Sequence, residues 1–319
     1  KEDADELLNE AQAAIIEVAE QRVKPGFVSV AQLTAPTLDM IAQLAERREA
    51  VTGIPSGFRD LDNLTSGFHK SEFVVVAARP SMGKTALCLN ISQHVGLNTN
   101  YAVGFFSMEM AKEQILIRLL CADSQLDIKR VRTGFISERE FEKLKLSAEA
   151  LSHARIFLDE TPGLTVMEMK AKCRRLKMES NLDVAFVDYI QLMRPGGRFE
   201  NRNQEMAFIS RSLKEMAKEL QIPVVGISQL SRAPEKGRRE PRPQLSDLRE
   251  SGAIEQDADV VIFIYRPEVY QPQDETLRGL AEINVAKQRN GPTDTIKLAF
   301  LNKYARFENA DLSFYQPEA

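Results

Sequence analysis

The stretch AARPSMGKTALCLN, residues 77–90, follows the apolar run EFVVV and leads into a segment of helix formers. Ala78, Gly83, Lys84 and Thr85 occupy the defining places of the pattern A/G-x-x-x-x-G-K-S/T, with alanine where glycine is the commoner first residue. These types suit a triphosphate. Main-chain N–H groups from Ser81 through Gly83 to Ala86 can turn into one concavity, and the helix that follows adds its positive end. Lys84 can reach the β- and γ-phosphates, and Thr85 offers its hydroxyl to Mg²⁺. The expected ligands are therefore ATP and Mg²⁺; a bare strand-to-helix turn that contains GKT is the alternative.

A phosphate corner of this kind needs a carboxylate for its metal. LDVAFVDYIQLM, residues 182–193, sets Asp188 at the tip of an apolar strand, where parallel-sheet enzymes collect their ligand groups. Alone, an Asp there would read as a helix cap; beside the corner it reads as the metal carboxylate. Hydrolysis also needs a group to orient or deprotonate water, and GFFSMEM, residues 104–110, ends another buried strand with Glu109. Glu109 is the candidate general base. The competing reading makes it a carboxylate in the first turn of the next helix, where the helix dipole favours negative charge.

These residues need a scaffold. The chain has 319 residues, 43% hydrophobic and 28% charged, enough for one large α/β domain or two smaller ones. A net charge of -4 excludes a surface that is basic all over, although a local basic strip could still face nucleic acid. Cys88, Cys121 and Cys173 form no CxxC pair, and His69, His94 and His153 are equally scattered. That fits a reducing compartment and offers no metal-ligand spacing of its own. No run approaches the ~20 apolar residues of a membrane span, and the start lacks the apolar core of a secretion signal. A soluble cytoplasmic protein without membrane contact is expected.

Residues 1–22 form a helical pattern with one thin apolar stripe of Leu8, Ala11, Ile15 and Val18. KPGF breaks it, LTAPT at 33–37 is expected to loosen the chain again, and a helix from Leu38 leads to TGIPSGF. Residues 1–50 thus read as a linker and 51–319 as the main domain. The abrupt start inside a helical pattern suggests either a truncated chain or a lost N-terminal domain. From Phe73 onward FVVVAA, YAVGFFS, RIFLD, LDVAFVD, IPVVGIS and ADVVIFIYR alternate with amphipathic helices, which predicts a mainly parallel sheet wrapped by helices. AEINVAKQRNG and DTIKLAFLNKYARFEN, separated by NGPT, read as an antiparallel hairpin at its edge.

TGIPSGFRDLDNLTSGF, ARPSMGKTA, FFSMEM, VDYIQLM, QEMAFISRSLKEMAKEL, GISQLSR, DLRESGAIEQDADVVIFIYR and KQRNGPT follow one another in an order that resembles the C-terminal motor domain of the bacterial replicative helicases, the DnaB family. The likeness covers residues 51–319, and residues 1–22 look like that family's linker helix. It implies a RecA-like P-loop ATPase that forms a homo-hexameric ring, moves 5′ to 3′ on single-stranded DNA and separates strands at the replication fork. Primase and a helicase loader would be partners of a full-length protein. By position, Gln229 would sense the γ-phosphate, and Lys287 and Arg289 would reach a neighbour's γ-phosphate in trans. Arg118 would touch the nucleotide, with an exposed helix arginine as its alternative. Arg249, Glu250 and Gly252 would lie on the DNA path. Two Gly/Pro-rich basic segments, 193–203 and 231–250, leave the strands that end in Asp188 and Gln229. A RecA-type recombinase, or a nucleotide-gated scaffold that does no work on DNA, would use the same core.

Overall fold

The computed structural model describes residues 27–47, 50–197, 199–230 and 241–310, with the backbone alone at 47 and 249–252. The stripe at 1–22 and the basic residues 231–240 lie outside the described residues. The chain falls into two units that divide after Glu49. The first carries α1 (Val30–Arg47), on which Val30, Leu33, Leu38, Met40, Ile41 and Leu44 are exposed. The break expected at LTAPT does not occur, because α1 runs through Pro36. Proline leaves the carbonyl four residues earlier without its helical donor, at ~3 kcal/mol in a helix interior. The first threonine of that stretch instead adds a bond, with Thr34 Oγ1 donating to the Val30 carbonyl at 2.8 Å.

The second unit, from Ala50, contains in order α2 (Arg59–Thr65), β1 (Phe73–Ala78), α3 (Lys84–Asn98), β2 (Ala102–Ser107), α4 (Lys112–Ser124), α5 (Ile128–Thr133), α6 (Glu138–Ser152) and β3 (Ile156–Asp159). It continues with α7 (Val166–Ser180), β4 (Leu182–Asp188), α8 (Arg202–Leu220), β5 (Val224–Gln229), α9 (Gly252–Asp257), β6 (Val260–Tyr265), β7 (Leu280–Gln288), β8 (Asp294–Leu301) and β9 (Arg306–Asn309). Among the described residues the strands make one sheet in the order β3-β2-β4-β5-β1-β6-β7-β8-β9. β3 through β6 in that order run parallel, and β7, β8 and β9 add antiparallel strands.

β1, β2 and β6 are buried along their whole length, so their sequences read as continuous apolar runs. Side chains still alternate between faces. Val74, Val76 and Ala78 of β1 share a core with Leu87, Ile91 and Val95 of α3, whereas Phe73, Val75 and Ala77 share one with Leu213, Met216 and Ala217 of α8. Edge strand β3 pairs only with β2 and stays partly exposed. The C-terminal hairpin proves to be three strands. DTIKLAFLNKYARFEN breaks at a 3₁₀ turn, Asn302–Tyr304, and at Ala305 with φ 49°, then returns as β9 along β8. No glycine or proline in NKYA announces that turn.

Parallel pairing brings the C-terminal ends of β1, β2, β4 and β5 to one edge, the place where open α/β sheets bind ligands. Gly226 explains why a buried strand there contains glycine. A Cβ at Gly226 would lie 3.0 Å from Ile190 Cγ2 and 3.1 Å from the Phe73 ring, and both side chains are fully buried. Gly226→Val should therefore cost about 1–3 kcal/mol in urea unfolding through overpacking. An unchanged midpoint and slope would mean that the turn after Asp188 does not press on β5.

Candidate active site

The corner after β1 is built from main-chain conformations that few residues adopt. Ser81 has φ 66° and Gly83, which caps α3, has φ 96°. A Cβ on Gly83 would also lie 3.0 Å from two ring atoms of Phe307 and 3.4 Å from Phe300, so glycine is required by backbone and by space. Lys84 and Thr85 open α3. Burial depresses the Lys84 ammonium, against the pull of Asp188 and Glu109. Thr85 Oγ1 donates to Asp188 Oδ2 at 2.7 Å. Asp188 is 1% exposed. Burial pushes its carboxyl up to about 6; Glu109 pushes the same way, while the Thr85 hydrogen bond, Lys84 and Arg118 oppose them.

Glu109 stands in a bend after β2, and α4 begins at Lys112, so the first-turn alternative does not hold. Ser107 fixes that bend: its Oγ accepts from Met110 N–H at 3.1 Å and donates to the Met110 carbonyl at 2.9 Å. Met108 N–H donates to the Asp188 carbonyl at 2.9 Å, which ties the bend to the end of β4. A cleft of ≈ 670 Å³ is lined by Ser81, Gly83, Lys84, Thr85, Ala86, Glu109, Arg118 and Gln229. Eight expected residues thus meet in one concavity, with Asp188 behind Thr85. Burial lowers the Arg118 pKa while Asp188 and Glu109 raise it, and a guanidinium stays charged throughout.

The same cleft contains residues that the sequence reading passed over. Arg266, at the end of β6, donates from Nη1 to the Ser81 carbonyl at 3.3 Å and lies 4.0 Å from the Phe300 ring centroid. It is 7% exposed and paired with Glu268 through Nε at 3.1 Å. Its only signal in the sequence was an arginine ending an apolar strand at the ligand edge. Asn302, Lys303 and Ala305, from the unexpected turn before β9, and Asp127, Ile128 and Lys129 at the start of α5 also line it.

Lys287 and Arg289 are placed elsewhere. β7 runs antiparallel to β6 and pairs Lys287 with Val261, at the end of the sheet opposite the phosphate corner. Lys287 Nζ donates to the Glu255 and Ala258 carbonyls at 2.6 and 2.7 Å, and Arg289 Nη2 to the Gln256 carbonyl at 2.8 Å. Burial, then the Arg289 charge, holds the Lys287 ammonium below its ordinary range. Both cations therefore cap the C-terminus of α9. Arg249 and Glu250 belong to a 3₁₀ segment, Leu245–Ser251, that runs into Gly252 at the start of α9. Arg242, in the second basic segment, is held by Glu282 at 2.8 and 2.9 Å.

A nucleotide and its cation fit this chemistry. Mg²⁺ characteristically takes one or two carboxylates together with substrate phosphates and water, and Asp188 with Thr85 supplies such a half-site. No helix among the described residues is long and apolar enough to cross a membrane.

Comparison with known proteins matches residues 53–309 to the DnaB-like helicase C terminal domain. The replicative DNA helicase DnaC of Bacillus subtilis (strain 168) is 45% identical over 315 residues, 98% of this chain and 69% of that protein. The replicative DNA helicase DnaB of Geobacillus stearothermophilus is likewise 45% identical over 315 residues, with the same coverage. Among solved structures, one described as an ATPase domain aligns with TM-score 0.83 at 35% identity, covering 90% of this chain and all of that one. A DnaB-like replicative helicase, described with its interactions with primase, aligns with TM-score 0.80 at 34% identity, covering 95% of this chain and 72% of that one.

The Ser107 clamp gives a direct check on how Glu109 is held. Ser107→Ala removes both bonds to Met110 and should cost about 1–3 kcal/mol of stability. It should slow hydrolysis much more than it weakens nucleotide binding. Equal losses of affinity and turnover would place the bend in nucleotide binding instead.

Proposed function

The chain belongs to the family of DnaB-like helicase C-terminal domains, and on that premise we propose that it is the ATP-hydrolysing motor of a replicative DNA helicase. The observation that carries this reading is the 2.7 Å contact between Thr85 Oγ1 and Asp188 Oδ2, with Lys84 buried beside it. A hydroxyl, a carboxylate and an ammonium at one helix N-terminus are what a triphosphate and its cation require.

Main-chain N–H groups of Ser81, Gly83 and Ala86 cradle the phosphates, and Lys84 neutralises the β- and γ-oxygens. Asp188 and Thr85 would hold Mg²⁺, which supplies charge neutralisation to the phosphoryl group when bound. Glu109 orients the attacking water and takes its proton. Gln229 reads the γ-phosphate from β5, between the strand that ends in Asp188 and the strand that leads into the phosphate corner, and Arg118 borders the nucleotide. Lys287 and Arg289 lie at the far end of β6 from the pocket of their own chain, which favours action on a neighbouring copy, with the homo-hexameric ring as the assembly. Arg249, Glu250 and Gly252 contact single-stranded DNA as the ring moves 5′ to 3′ and unwinds duplex. Primase is the partner suggested by a structural neighbour described with it, and a helicase loader would be a further one. The division between linker and motor is proposed near residue 50, with the helix from Val30 in the linker.

Subunit mixing tests the shared site. Lys84→Ala and Arg289→Ala should each lose ATPase. Mixed rings should regain part of it, because some interfaces then join an intact corner to an intact cation. Glu109→Gln should bind ATP without hydrolysing it, and single-stranded DNA should stimulate the parent. Absence of recovery despite demonstrated subunit exchange would place the finger in cis. Turnover unaffected by DNA would reject the motor.

A further inference from the structure

Pairing of β4 with β5 stops at Val187 and Gly226, whereas on its other side β5 stays paired with β1 as far as Gln229 and Ala78. Gln229 therefore turns one peptide edge toward a place where β4 has already ended. The side chain of Gln191 fills that place from the 3₁₀ turn Ile190–Leu192, just after Asp188. Its Oε1 accepts from Gln229 N–H at 3.3 Å. Its Nε2 donates to the Gln229 carbonyl at 3.1 Å and to the Ser228 hydroxyl at 2.9 Å. A carboxamide offers one acceptor and donors much as a peptide group does, so Gln191 continues the ladder by one step in place of a strand.

The surroundings fix this step on both sides. Arg202, the first residue of α8, donates from Nη2 to the Gln191 carbonyl. Across β5, Leu230 N–H donates to the Ala78 carbonyl at 3.0 Å and Arg79 Nη1 to the Leu230 carbonyl at 3.3 Å. Gln229 is thus held between the strand that enters the phosphate corner and the turn that leaves the metal carboxylate. Gln191 follows Asp188 by three residues on a short turn with Ile190 fully buried. A shift of Asp188 moves the carboxamide, and with it the Gln229 main chain.

We propose that Gln191 is the positioning residue that registers Gln229 against the phosphate corner and links it to the Asp188 turn. The proposal rests on the reading of Gln229 as the γ-phosphate contact. Gln191→Met preserves length and bulk and removes all three side-chain bonds. Gln191→Glu keeps an acceptor for Gln229 N–H but sets a carboxylate against the Gln229 carbonyl. Gln229→Ala is measured in parallel, and each variant is assayed for affinity for a fluorescent ATP analogue, KM, kcat with and without single-stranded DNA, and melting temperature.

Misplacing a reacting group by about 1 Å costs as much as 10²-fold in rate, so Gln191→Met should lower kcat by about 10-fold or more. Affinity and KM should stay within about twofold, the pattern of a contact realised only in the transition state. Gln191→Glu should be impaired in the same parameter. It carries the test alone if Gln191→Met melts early. Parent kcat in a folded Gln191 variant, with Gln229→Ala impaired, overturns the positioning role alone. Normal hydrolysis by Gln229→Ala instead removes the γ-phosphate reading on which the role rests. Matched losses of melting temperature, affinity and kcat would make Gln191 merely structural.

Discussion

Two opposite charges buried where parallel strand ends meet are the constraint on which the rest depends. Lys84 and Asp188 are 9% and 1% exposed, and neither would be placed there by the demands of folding. Burying a charge without a direct ionic partner costs free energy. Here burial depresses the ammonium and lifts the carboxyl, so both charged forms are disfavoured in the ligand-free chain. The proposed triphosphate and its cation would bring the complementary charges. The site is incomplete alone, and its cost is tolerated by a sheet whose strands β1, β2 and β6 are buried throughout.

Strand order sets Gln229, proposed to sense the γ-phosphate, in the same cleft as Lys84. β5 lies between β4 and β1, so Gln229 ends the strand that separates Asp188 from the phosphate corner. The antiparallel extension then does two things at a distance. Phe300 and Phe307, with ring centroids 4.6 Å apart, back the corner and leave room only for glycine at position 83. Lys287 and Arg289 cap α9, whose first residue is Gly252 of the segment proposed to meet DNA. One short helix therefore joins the cations proposed for a neighbour's nucleotide to the backbone proposed for DNA.

Local pattern made much of this legible. The six parallel strands, the phosphate corner, Asp188 and Glu109 follow from apolar runs and motif spacing within single segments. What escaped depends on contacts between distant segments. Arg266 reaches Ser81 across 185 positions, Gln191 meets Gln229 across 38, and neither has a local signature. β9 was hidden because Ala305 takes a positive φ that composition does not advertise. Pro36 misled in the opposite direction, since α1 accommodates a residue that usually ends a helix. Lys287, Arg289 and Arg249 came into view only through the resemblance, because nothing near them distinguishes a ligand contact from a solvated cation.

The most direct test of these buried charges is the urea unfolding free energy of the ligand-free parent against Asp188→Asn from pH 4 to pH 8. Asp188 titrates near 6 in the folded chain against an ordinary 3.8. Between those values the folded state keeps a proton that the unfolded state has lost, so stability falls as pH rises. The account predicts that the parent loses roughly 3 kcal/mol relative to Asp188→Asn across that interval, with a constant difference above it. A flat difference, or a parent that gains stability as pH rises through 4 to 6, would contradict it.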